Sequence, residues 1–145
     1  MDKKLILLVE DNPDDEALAM RALAKTKVAN EVVVAHDGAE ALAFLFGGGQ
    51  QLTRSPDVIL LDLKLPKVDG LEVLRRIRAD QRTRFIPVVV LSSSDETKDV
   101  TESYRLGANS YIRKPVDFAR FTDVVRQLGS YWLLLNEAPL PGGKT

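Results

Sequence analysis

Carboxylates that close apolar runs are the residues in this sequence best able to do chemistry. Glu10 and Asp11 follow the run Leu5–Val9, and Asp62 ends the run Val58–Leu61. If those runs are neighbouring strands, three carboxylates meet in one crevice. Two such charges ~4 Å apart repel by roughly 4 kcal/mol at an effective dielectric of 20. Three together call for a cation or a proton, and an all-oxygen donor set that keeps water suits Mg²⁺. Ser92 closes VVVLSSSDE in the same way, and Lys114 closes SYIRKPV. A hydroxyl, an ammonium and a carboxylate-bound metal are together what a phosphoryl group needs. The cations offset its charge and the hydroxyl donates to one oxygen. Acids near strand ends also cap helices, and Asp14, Asp15 and Glu16 are read as serving only the helix dipole.

The elements that must position these residues alternate regularly. Leu5–Val9, Val32–Ala35, Val58–Leu61, Val88–Leu91 and Ser110–Ile112 read as strands. Between them, Ala17, Met20, Leu23 and Ala24 recur at helical spacing, as do Gly70, Val73, Leu74 and Ile77, and then Phe118, Phe121, Val125 and Leu128. Asn12 suits an N-cap and Pro13 the first helical position, while Gly107 suits a helix stop. Strands alternating with helices predict an α/β fold, a doubly wound parallel sheet with helices on both faces. Ligands of such sheets bind beyond the carboxyl ends of the strands, where all five chemical residues fall. The segment 47–57, GGGQQLTRSPD, reads as a flexible loop.

Composition narrows the function. The chain has 145 residues, 20 basic and 21 acidic, with a net charge of -1 and no cysteine. Thiolate metal sites, disulfides and cysteine catalysis are excluded. The balanced charge gives no basic excess for nucleic acid. The apolar run near the N-terminus is too short for a signal sequence, and no stretch approaches the ~20 residues of a membrane span. The expectation is a cytoplasmic protein with no membrane contact.

The motifs VEDN at 9–12, LLDLKLPKVDG at 60–70, VVVLSSS at 88–94 and GANSYIRKP at 107–115 resemble receiver domains of two-component response regulators. The resemblance is to the single-domain chemotaxis-regulator type and covers residues 4 to about 130. It implies a flavodoxin-like five-stranded sheet of order 2-1-3-4-5. It implies that Asp62 accepts a phosphoryl group from a histidine kinase with Mg²⁺. Asp11 would bind the metal together with Asp62 and the backbone carbonyl of Lys64, and Glu10 would hold a metal-bound water. Ser92 would hydrogen-bond the phosphoryl oxygen, Lys114 would pair with it, and Tyr111 would change rotamer with Ser92. The Lys114–Pro115 bond would be cis. Glu10 departs from the aspartate common in the family, and Ser92 from threonine. EDNPDDEALAMRAL and RQLGSYWLLLNE look like regulators paired with bacterial or cyanobacterial phytochromes.

Several expectations follow for output. The region 96–106 is polar, with Val100, Tyr104 and Leu106 its main apolar residues, and suits a partner surface better than a core. The last predicted helix carries Val124, Tyr131, Trp132, Leu133, Leu134 and Leu135 beyond its core stripe. Monomers rarely expose such patches, so a symmetric homodimer through this helix and its extension is expected. The receiver would span 1–136 and a tail 137–145. His36, the single histidine, reads as a solvated loop residue. Two rivals differ in class: a small Mg²⁺-dependent phosphatase, and a degenerate receiver that only dimerises. Lys64 stands where such phosphatases place an acid two residues past the nucleophile, and the site residues of a receiver are all present. No helix-turn-helix or basic stripe follows, which argues against DNA binding.

Overall fold

A computed structural model describes residues 4–25, 30–47, 55–93, 97–114 and 118–128. The chain runs β1 (Lys4–Val9), α1 (Pro13–Ala24), β2 (Asn30–Ala35), α2 (Gly38–Phe46), β3 (Val58–Asp62), α3 (Gly70–Ala79), β4 (Val88–Ser92), α4 (Thr97–Arg105), β5 (Ser110–Arg113) and α5 (Phe118–Leu128). The five strands form one parallel sheet of order β2-β1-β3-β4-β5, as the sequence led us to expect. The order reverses direction at β1 and β3, which places the switch between Glu10 and Asp62.

β1, β3 and β4 are central, and their apolar runs are buried on both faces. Strand side chains alternate between faces. Leu7, Val9, Ile59, Leu61, Val88 and Val90 therefore meet α2 and α3 through Ala41, Leu45, Val73, Leu74 and Ile77. Ile6, Leu8, Val58, Leu60, Val89 and Leu91 meet α1 through Ala19, Ala22 and Leu23 on the opposite face. α5 lies beside α1.

The α1 face departs from expectation. Leu23 is buried, but Ala17, Met20 and Ala24 are exposed, and Ala19 and Ala22 take their place. In so alanine-rich a helix, two stripes at i, i+3, i+4 spacing are nearly equal in apolar content. The stripe with the smallest side chains lies closest to the sheet. The stripe at α3 is as expected, with Gly70, Val73, Leu74 and Ile77 all buried. Side chains of Phe118, Phe121, Val125 and Leu128, residues 131–135, the 48–54 segment and the Lys114–Pro115 bond lie outside the described residues.

The ends of the helices are fixed by short polar contacts. Asn12 caps α1, its Oδ1 accepting from the N–H groups of Asp14 and Asp15 at 2.9 and 3.1 Å. Asp37 caps α2 through the Glu40 N–H at 2.7 Å, and the Glu40 carboxylate accepts from the His36 N–H at 3.0 Å. Gly107 ends the turn after α4 at φ +102°, where side-chain-bearing residues are strained. Asp57, expected within a flexible loop, is instead pinned. Its Oδ2 accepts from the Leu5 N–H at 2.7 Å, and its own N–H donates to the Leu5 carbonyl.

Candidate functional site

The register brings the C-terminal ends of four strands level. Glu10 follows β1, Asp62 ends β3, Ser92 ends β4 and Lys114 follows β5. The Lys114 N–H donates to the Ser92 carbonyl at 2.6 Å, tying the last two together. Oxygens of Glu10, Asp11 and Asp62 lie within 4.8 Å of one another. Glu10 and Asp62 are buried and Asp11 is exposed, so the cluster opens on one side.

Lys114 reaches into this cluster from the far edge. Its Nζ lies 2.5 Å from Glu10 Oε1, 3.0 Å from Asp15 Oδ2 and 3.4 Å from Asp62 Oδ2. Burial alone would lower its pKa. The hydrogen bonds to Glu10 and Asp15, with the charge of Asp62, outweigh burial and raise it to about 12. The ammonium is therefore firmly charged. Glu10 responds oppositely. Burial pushes its carboxyl up to about 7, and nearby Asp62 acts in the same direction against the pull of Lys114. One ammonium does not compensate the acids around it. That residual negative charge and the open oxygen donors suit a hard divalent cation.

The loop from β3 to α3 is shaped around the Asp62 carboxylate. The Lys64 N–H donates to Asp62 Oδ1 at 3.2 Å. The Gly70 N–H returns to the Leu63 carbonyl at 2.9 Å. A Cβ at Gly70 would stand 2.3 Å from the Asp62 carbonyl oxygen, so the close approach of α3 requires glycine. Lys67 holds a left-handed φ of 70°, and its ammonium lies 3.5 Å from Asp37 Oδ2 at the cap of α2. The strained turn is thereby tied to a neighbouring helix.

Ser92 is fully buried, and Tyr111 is half-buried against the core that includes Val90. Glu10, Asp11, Asp62, Ser92 and Lys114 thus gather at one edge, as expected. Asp15 joins them, although the sequence reading gave it only a helix-dipole role. Glu16 also has a partner, since its carboxylate lies 2.9 Å from His36 Nε2. His36 is 55% exposed, in keeping with a surface position, but it is not solitary. The Lys64 ammonium lies 3.8 Å from the buried Asp99 carboxylate on α4. The signal for Asp15 was its place four residues before Ala19, on the stripe that faces the sheet.

The sequence pattern of the response regulator receiver domain matches residues 6–126. The chain belongs to that family. It is 42% identical to the probable methanogenesis regulatory protein FilR2 of Methanothrix harundinacea, over 97% of this chain and 90% of that one. It is 40% identical to the response regulator Rcp1 of Synechocystis, over 90% and 89%. The crystal structure of the phosphorylated cyanobacterial phytochrome response regulator RcpA superposes with a TM-score of 0.86 at 44% identity, covering 95% of this chain and 99% of that one. The Mn²⁺-bound form of Rcp1 gives 0.84 at 39% identity, covering 94% and 99%. The receiver fold and the metal-capable acidic cluster of this chain are therefore those of a signalling protein family. Among the described residues, no helix is long and apolar enough to cross a membrane.

Proposed function

We propose that this chain is a response regulator receiver that accepts a phosphoryl group on Asp62 from the phosphohistidine of a kinase. The observation that carries the reading is the convergence of Glu10, Asp11 and Asp62 with the ammonium of Lys114 at the sheet's switch point. An Asp62 oxygen forms the new bond to phosphorus as the P–N bond to the kinase imidazole breaks. The imidazole keeps the electron pair and takes a proton from solvent. Mg²⁺, when bound, offsets the charge of both carboxylate and phosphoryl group. Asp11, Asp62 and the Lys64 carbonyl would hold it, with Glu10 reaching it through water. Lys114 orients one phosphoryl oxygen and Ser92 donates to another. The chain turns over no outside substrate, and water slowly removes the group.

The phosphoryl group carries about -1.5 to -2 charges, and because it consumes the carboxylate charge of Asp62 the site gains about one negative charge and three acceptor oxygens. Ser92 is drawn toward the new group, Tyr111 fills the space it leaves, and α4, β5 and α5 move as a surface. Similarity to RcpA and Rcp1 points to a phytochrome-type histidine kinase in the cytoplasm as phosphodonor. The apolar residues Val124 and Tyr131 to Leu135, in α5 and in the sequence that follows it, support a homodimer there. Light scattering on Trp132→Glu should give half the wild-type mass, and an unchanged mass would remove that interface.

The phosphoacceptor role is tested with acetyl phosphate and intact-mass spectrometry. One phosphoryl group per chain is expected with Mg²⁺, and none with chelator or in Asp62→Asn. Full labelling of either control would overturn the assignment.

A further inference from the structure

An ammonium has three N–H donors, and in this chain three carboxylates surround the one on Lys114. Glu10 at 2.5 Å and Asp15 at 3.0 Å are the closer two, and Asp62 at 3.4 Å is the third. A phosphoryl oxygen arriving on Asp62 inherits the long Asp62 contact, and it draws Lys114 in fully only by weakening one of the two shorter ones. Glu10 is the costlier to release, because its side chain is 2% exposed and water cannot take the place of the ammonium. Asp15 is the cheaper of the two. It is 38% exposed, so water can replace the ammonium. It stands on the first turn of α1, where its N–H is held by the Asn12 cap whatever its carboxylate does.

We propose that Asp15 is a positioning residue for Lys114. It holds the ammonium toward α1 in the resting chain and competes for it with an arriving phosphoryl oxygen. The inference rests on the phosphoacceptor reading of Asp62 given above. Its consequence is kinetic: Asp15 slows phosphorylation. In the reaction with acetyl phosphate, the Asp62 oxygen bonds to phosphorus while the bond from phosphorus to the acetate oxygen breaks. Acetate leaves with that electron pair. Lys114 helps most when it is already free to neutralise the transferring group.

Asp14 supplies the control. It carries the same charge one residue earlier, is exposed, and forms no ion pair among the described residues. Removing either charge lowers the general repulsion felt by an anionic donor and so changes half-saturation by acetyl phosphate. Only Asp15 restrains Lys114, so only its removal should raise the maximal rate.

The test measures the labelling rate of Asp62 against acetyl phosphate concentration at saturating Mg²⁺, in wild type, Asp14→Asn, Asp15→Asn and Asp15→Glu. Asp15→Asn should raise the maximal rate by about three- to five-fold, the scale of a partly exposed ion pair. Asp14→Asn should leave it within experimental scatter, and Asp15→Glu should return it toward wild type. A maximal rate for Asp15→Asn equal to that of Asp14→Asn, or below wild type, overturns the proposal. If Asp15→Asn does not fold, Asp15→Ser is judged on the same criterion. Absence of label on wild-type Asp62 is a different failure, because it removes the phosphoacceptor reading itself.

Discussion

α3 and α4 are helices of similar length, yet they are held by opposite means. α3 turns Gly70, Val73, Leu74 and Ile77 inward, and all are buried. The buried residues of α4 are Asp99 and Ser103, while Tyr104 is half exposed. The Ser103 hydroxyl donates back to the Asp99 carbonyl at 2.8 Å, so part of that polar contact is spent within the helix. The contrast teaches where motion is affordable. Displacing α3 would open apolar voids beneath Asp62. Displacing α4 exchanges polar contacts that water can also make, including the 3.8 Å pair between Lys64 and Asp99. On the proposed function, the chemistry would sit over the rigid helix and the response would fall to the loosely held one.

Truncation sharpens that contrast most. Leu74→Ala, at a fully buried position, should cost about 2–5 kcal/mol in urea unfolding. Ser103→Ala, also fully buried, should cost only about 1 kcal/mol, because it removes one hydrogen bond and no large volume. Equal losses from the two would erase the distinction between the helices.

A smaller effect tests the electrostatics of the rigid centre. The folded state raises the Glu10 carboxyl from 4.5 to about 7, so it binds that proton more tightly than the unfolded chain does. The resulting stabilisation of the metal-free protein is fully present below the unfolded value. It is lost as pH rises through the folded one. Glu10→Gln should therefore stabilise the metal-free chain above neutral pH by up to about 3 kcal/mol and change little in mild acid. A stability difference independent of pH would mean that burial does not govern Glu10.

The sequence made the strand ends legible because buried parallel strands announce themselves as unbroken apolar runs. Asp62 stands out against Val58–Leu61, and Glu10 and Asp11 against Leu5–Val9, for the same reason. The strand order came from family motifs, since periodicity alone does not rank neighbours. Asp15 was hidden because alanine carries too little hydrophobic contrast to fix the rotation of α1. The polar inner face of α4 was legible as an unusual helix, but not which polar residues turn inward. The Asp57 contact to β1 was hidden in a segment whose glycines suggested only mobility. The His36–Glu16 pair joins residues 20 apart in sequence, on separate elements whose loops meet only after folding.

Backbone amide NMR on the nitrogen-labelled chain tests the central contrast most directly, before and after acetyl phosphate and Mg²⁺ are added. The account predicts large shifts at Asp62 and Lys64 and through α4 and β5, with Val73, Leu74 and Ile77 of α3 nearly still. Shifts in α3 as large as those in α4, or an α4 that does not respond while Asp62 does, would contradict it.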